Sequence, residues 1–186
     1  MSRARFIHGL LLVAACLPAF AQVPASAERY RRELTRIAQQ EMGLAVPVAL
    51  FAAQIHQESS WRSTAKSPYA EGLTQFTPAT AKWISDIYPD LGPAAPYSPS
   101  WAMRAMLRYD LHIFARVKSW HARDIPLCDK WAFTLSGYNG GPGWITRDRR
   151  QADAASVCSE RWWGSVNWIT STRRWLLSTW DRCRMM

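Results

Sequence analysis

The chain has 186 residues, of which 48% are apolar and 20% charged. That length and apolar content suit one globular domain and exclude a disordered or low-complexity chain, the more so with 11 Trp. A formal charge of +9, carried by 23 Lys and Arg of which only four are Lys, favours anionic partners without choosing among nucleic acid, membrane and acidic wall polymer.

The N-terminal segment reads as an export signal. Arg3 and Arg5 precede a mostly apolar run from Phe6 to Phe20, and Ala19-Phe20-Ala21 is a small-x-small cleavage pattern. The run is shorter than the roughly 20 residues of an ordinary spanning helix. Residues 1–21 are therefore expected to be a signal peptide, 22–27 a linker and 28–186 the domain, with the mature protein in the periplasm. Val13-Ala14-Ala15-Cys16 offers an alternative, because it resembles a bacterial lipobox. Membrane attachment is expected only if Cys16 carries lipid.

Beyond the linker, Leu34, Ile37 and Ala38 share one face of a helix over Glu28–Met42 that Gly43 stops. Pro47 opens a second helix, which runs through Phe51 and Ile55 toward Glu58. Ser59 to Ala70 is turn-prone. Thr77-Pro78 starts a helix that reaches about Tyr88, and the proline-rich stretch Pro89–Pro99 is a loop. Ser98-Pro99 caps a long helix through Met103, Met106, Leu107, Leu111 and Phe114. A further helix is predicted from Cys128 to about Ser136, a loop over Gly137–Gly143, and a last helix over roughly Ser165–Arg182. With no alternating β pattern and no internal repeat, the fold class is mainly α, a compact single domain.

Glu58 ends an apolar helix, and a carboxyl at the mouth of an apolar face is poorly solvated. Its neutral form is favoured, as a general acid near neutral pH requires. Thirteen residues on, Glu71-Gly72-Leu73-Thr74-Gln75-Phe76 combines a permissive glycine with an amide able both to donate and to accept, suited to a sugar acetamido group. Gly137-Tyr138-Asn139-Gly140-Gly141-Pro142-Gly143 adds a phenol and an amide in a glycine-rich segment. Each piece alone is an ordinary turn or helix end.

In order, Gln57-Glu58-Ser59-x-Trp61, Ala65-x-Ser67-Pro68-x-Ala70-x-Gly72-Leu73-x-Gln75, Pro78-x-Thr80-Ala81 and Tyr138-Asn139-x-Gly141-Pro142-Gly143 resemble the soluble lytic transglycosylase (SLT) domain, family 1. The resemblance runs from about Val48 to Trp144 and implies a goose-lysozyme-like α fold. It implies cleavage of peptidoglycan glycan strands between N-acetylmuramic acid and N-acetylglucosamine without water as nucleophile. Glu58 would be the catalytic acid and then base, and Ser59 would help hold the acetamido group. Gln75 would contact the glycan, with Tyr138 and Asn139 lining the site. One carboxylate suffices because the substrate's N-acetyl group replaces the second. Glu71, the nearest other acid in sequence, occupies a variable position of the motif and is expected to be solvated, while Asp110, Asp124 and Asp129 could approach only through the fold.

The chain departs from the family pattern at Thr74, usually Met, at Tyr69, a common Gly, and at Gly137, usually Ala. Ser171-Thr172-Arg173-Arg174-Trp175 stands where the family has Glu-Thr-Arg-x-Tyr, so both Glu and Tyr are substituted there. Size and the lack of a wall-binding repeat resemble specialised members that open the wall for a secretion, conjugation or flagellar machine, so an envelope complex is a candidate partner. The rival readings are a lysozyme-like hydrolase and a non-catalytic glycan clamp.

Neither a cofactor nor a metal is expected: His56-x-Glu58 lacks the Pro-Cys-x-x-Cys of zinc deaminases, so His56 reads either as a helix-surface residue or as one that supports the site from behind. Nucleic acid is not an expected partner, and a monomer is. Of Cys128, Cys158 and Cys183, two are expected to pair in an oxidising compartment. The Arg29–Arg32 and Arg147–Arg150 stretches read as solvated faces. Trp83, Trp101, Trp120 and Trp131 read as core or half-core, whereas Trp61, Trp144, Trp162 and Trp163 are candidates for stacking on sugar rings.

Overall fold

A computed structural model describes residues 24–121 and 123–162. The signal segment, Cys16, Trp163, Cys183 and the predicted helix at Ser165–Arg182 lie outside the described residues. Among the described residues there are six α-helices: α1 (Ala25–Met42), α2 (Val48–Ser59), α3 (Pro78–Ile87), α4 (Pro99–Arg116), α5 (Leu127–Gly140) and α6 (Pro142–Ala154). A short 3-10 turn, Pro89–Leu91, interrupts the predicted proline-rich loop. The domain is mainly α, as the sequence implies.

Helix α1 begins at Ala25, inside the segment expected to be a linker, because Ala27 is already buried with Tyr30, Leu34, Ile37 and Ala38. Thr77 caps α3 by accepting a hydrogen bond from the Thr80 amide at 3.1 Å. Ser98 stands at the start of α4 but makes no such bond; Pro99 in the first turn starts the helix instead.

The middle of the molecule is α4. Its buried residues include the consecutive runs Trp101-Ala102-Met103 and Ala105-Met106-Leu107, so it is covered on more than one side. It packs against α1, α3 and α5, and α5 in turn packs against α6. Arg104 and Arg108 bind Glu41 of α1 and Asp90 of the 3-10 turn, tying both to the outer side of α4.

The structure corrects the sequence reading most between residues 137 and 154. Helix α5 does not stop at Ser136 but carries Gly137, Tyr138, Asn139 and Gly140, and α6 follows after Gly141 alone. Gly141 has φ of 86°, which ends α5, and Pro142 fits the first turn of α6. Gly137 is helical because only hydrogen fits there: a Cβ would lie 2.6 Å from Ile145 Cδ1 and 2.9 Å from Ile113 Cγ2. The glycine thus lets α4, α5 and α6 approach closely. Ile145 Cδ1 is the flexible end of its side chain, whereas Ile113 Cγ2 is a β-branch methyl that moves only with χ1. Gly137→Ala is therefore expected to cost about 1–3 kcal/mol, measured as a lower urea midpoint at unchanged slope.

Two further expectations are corrected. Arg149 is not on a solvated face: it is 2% exposed, donates to the carbonyls of Ser159 at 2.9 Å and Lys118 at 2.8 Å, and pairs with buried Glu160. Glu160 also accepts from the amides of Trp120 and His121, so the pair clasps the α4–α5 connection to the chain beyond α6. Trp61 and Trp162 are buried rather than available to sugars; Trp61 stacks on Tyr30 and Trp162 packs edge-on to Phe133. Of the predicted core Trp, Trp101 and Trp131 are buried, and Trp83 and Trp120 are half-covered. No disulfide joins Cys128 to Cys158.

Candidate active site

The cleft is assembled from the C-terminus of α2, the turns between α2 and α3, the start of α3, and one face each of α4 and α5. Helix α2 closes with Ser60 in the left-handed conformation, φ 52°, and Trp61 follows at φ 67°. Residues beyond glycine rarely adopt such angles. The buried Trp61 ring and the bond from the Ser60 amide to the His56 carbonyl, 2.8 Å, hold the chain there. The reversal leaves Glu58 on the last turn of α2, partly exposed, while His56 points to the surface.

The segment Gly72–Gln75 is held carbonyl by carbonyl. Gln75 Nε2 donates to Gly72 O at 2.9 Å and to Ala65 O at 3.3 Å. Ser59 Oγ donates to Leu73 O, and the Tyr138 hydroxyl to Thr74 O, both at 2.7 Å. Gln75 itself has φ of 51°. Gly72 has φ of 79° and lies under the proline-rich loop, its missing Cβ taken by the carbonyl of Pro96. Phe76 then packs against Trp101, Tyr109 and Tyr138, with ring centroids 5.6 to 6.1 Å apart.

These pieces enclose a cleft of about 410 Å³. Four of the five predicted site residues, Glu58, Gln75, Tyr138 and Asn139, line it together. The fifth does not: Ser59 is buried with its hydroxyl given to Leu73, so its role is to hold the Gly72–Gln75 segment in place. Gln75 is also half-committed. Both amide hydrogens are used internally, which leaves Oε1 as an acceptor for a ligand rather than the two-ended partner its amide could have been.

The sequence reading missed Tyr69, Thr80 and Tyr109, which complete the walls. Tyr69 is 81% exposed at the rim, and Tyr109 lies 5.4 Å from Tyr138, ring to ring. Of the three distant acids that the fold could have brought near, Asp110 is buried beside the cleft but does not line it. Its burial was detectable, since Met103, Met106, Leu107 and Asp110 share one helical stripe and an acid on an apolar stripe needs explaining.

Burial pushes the Glu58 carboxyl from an ordinary 4.5 up to about 7. Asp110, with no exposure, is pushed well up by burial and further by the charge of Glu58, against a hydrogen bond from Gln54. The same burial, with Glu58 and Asp110 nearby, keeps Tyr138 a neutral phenol. Glu71 faces elsewhere, 3.3 Å from Lys66. Among the described residues no group of His, Cys, Asp and Glu is arranged to hold a metal ion, and no helix is long and apolar enough to cross a membrane.

Residues 33–157 match the family described as the transglycosylase SLT domain, a span that includes every lining residue of the cleft. No curated protein matches the chain.

Proposed function

Because the chain belongs to the transglycosylase SLT domain family, whose members are lytic transglycosylases acting on peptidoglycan, we propose that it cleaves the bond between N-acetylmuramic acid and N-acetylglucosamine without water and leaves a 1,6-anhydromuramoyl end. The observation that carries this reading is that, among the described residues, the cleft is lined by a single carboxyl, Glu58, half-buried and raised to about 7. A neutral acid at that position is ready to donate, and its conjugate base is still basic enough to take a proton back.

In the first step Glu58 gives its proton to the glycosidic oxygen as the bond to the muramoyl C1 breaks. The substrate's acetamido oxygen closes on C1 to form an oxazolinium. In this reading Gln75 Oε1 accepts from the acetamido N–H, and Asn139 and the Tyr138 oxygen meet sugar hydroxyls, which their position in the cleft lining supports. In the second step the Glu58 carboxylate takes the proton of the muramoyl 6-hydroxyl, O6 attacks C1, and the oxazolinium reopens. Glu58 ends protonated and no water is consumed. A hydrolase of the two-carboxylate kind needs a second acid at the sugar, and Asp110 is sealed behind the wall.

The test is mass spectrometry of fragments released from purified peptidoglycan. Anhydro ends are the expected product; reducing ends mean a lysozyme-like hydrolase, and sacculi bound but uncut mean a glycan clamp. The acid must be protonated in the free enzyme, so kcat/KM is expected to be half-maximal near pH 7 and to fall about tenfold per unit above it. A profile flat from pH 6 to 9 would remove Glu58 from the role of acid.

Export to the periplasm is part of the proposal, supported by Arg3, Arg5, the apolar run and Ala19-Phe20-Ala21. The mass of the mature N-terminus distinguishes cleavage after Ala21 from lipidation at Cys16. Local wall opening for an envelope machine is the setting that the family resemblance suggests, and a pull-down from cross-linked envelopes tests it.

A further inference from the structure

The reaction above leaves one buried acid without a task. Asp110, on α4 directly after Tyr109 of the cleft wall, has no exposed surface. Its Oδ1 accepts a long hydrogen bond, 3.4 Å, from Gln54 Nε2 of α2. Its Oδ2 and the Oε1 of the same Gln54 are both buried and both without a partner. The ionisable groups that face it are Glu58 from α2, Tyr138 from α5 and Tyr109 from its own helix. None is a cation, and among the described residues no Arg, Lys or His pairs with Asp110.

An ionised carboxylate there would lose its hydration and gain one long hydrogen bond from a neutral amide, which does not offset the loss. It would also set a like charge behind Glu58, just when the second half of the reaction needs Glu58 ionised. The two orphaned atoms point the same way. Both are acceptors, and they belong to groups already joined through their other ends. A proton on Asp110 Oδ2 converts one of them into a donor, and the acid and the amide can then bond to each other twice.

We propose that Asp110 is a permanently protonated positioning residue, which pairs reciprocally with Gln54 and leaves Glu58 the only carboxyl of the site that titrates. Gln54 lies one helical turn before Glu58 on the same face of α2. Holding that amide from both ends fixes the rotation of α2 against α4, and with it the direction of the Glu58 side chain. The inference rests on the reading of Glu58 as the acid.

The test begins with carbon NMR of the Asp carboxyl resonances in the whole mature protein between pH 5 and 9. The Asp110 resonance is expected to keep the position of a protonated acid throughout; an ionised or titrating resonance overturns the proposal. It needs no turnover, so reducing-end products would defeat the transglycosylase reading without moving this resonance.

Two variants supply the functional half. Asp110→Asn keeps one donor and one acceptor and is expected to retain kcat within about threefold, with its half-maximal pH unmoved. A fall of that pH by a unit or more would mean that a charge had been removed, and would overturn the proposal. Asp110→Leu keeps the bulk and loses the pair, so kcat is expected to drop about tenfold with KM little changed. If Asp110→Leu fails to fold, Gln54→Met breaks the same pair from the other side and carries the same expectation. Wild-type kcat in the folded variant lacking the pair would sink the idea.

Discussion

Glu58→Gln is expected to lower fragment release by at least about 10³-fold, near the upper range for one group acting in general acid and base catalysis. The loss is large because the same carboxyl serves both steps, and an amide can neither give the first proton nor take the second. The variant is also expected to be the more stable protein above neutral pH. Glu58 titrates higher in the fold, at about 7, than its ordinary 4.5. Folding is therefore unopposed by this group below about pH 4.5, and its stabilising protonation is lost as pH rises through about 7. At pH 8 that difference corresponds to about 3 kcal/mol at most. Gln removes the ionisation and with it the penalty. Thermal unfolding of both proteins at pH 5 and pH 8 checks this: the two curves should lie close together at pH 5 and separate at pH 8. Equal stability at both values would show that the Glu58 carboxyl is well solvated, and the case for its neutral form would fail.

Gly72→Ala is expected to be the most damaging single methyl group in the domain. The backbone φ of 79° disfavours any side chain, and the added carbon would sit 1.8 Å from the Pro96 carbonyl oxygen and 2.5 Å from its carbon. A neighbouring backbone cannot rotate away as the end of a side chain can, so either the proline-rich loop lifts or the Gly72–Gln75 segment shifts. The expected cost is about 3–5 kcal/mol, a large part of the 5–15 kcal/mol typical of a domain. A fall in Tm of about 10 °C is the corresponding readout. Activity should suffer beyond this loss, at temperatures where the variant is still folded. Gln75 Nε2, Ser59 Oγ and the Tyr138 hydroxyl all bind the carbonyls of this segment. A Tm within 2 °C of the parent would mean that the loop above Gly72 yields easily. Gly137→Ala provides the comparison, because it presses only on the side chains of Ile145 and Ile113.

The chemistry of the cleft was legible in the chain because each of its parts is local. A carboxyl closing an apolar helix, a glycine followed three residues later by Gln, and Tyr-Asn before a glycine pair are patterns of a few residues, and their order pointed to the family. The helices α1 to α4 were legible for the same reason, since periodic apolar faces and Pro or Thr starts are short-range signals. The stop between Ser136 and Gly141 was not. Three glycines in five residues ordinarily end a helix, and only the approach of Ile113 and Ile145 makes Gly137 a requirement of packing. Arg149 was likewise misread, because its partners, the carbonyls of Lys118 and Ser159 and the carboxylate of Glu160, come from distant segments.

By itself, then, the sequence determined that this is a mainly α domain with a single acid at the end of an apolar helix, since both follow from spacing along the chain. The tertiary structure decided that the Ser59 hydroxyl is buried against the Leu73 carbonyl, that both Gln75 amide hydrogens are used within the chain, and that Asp110 lies sealed beside Glu58 without a cation among the described residues. Those outcomes depend on which hydrogen-bonding groups are left unpaired once the helices pack, and no pattern of neighbouring residues records that.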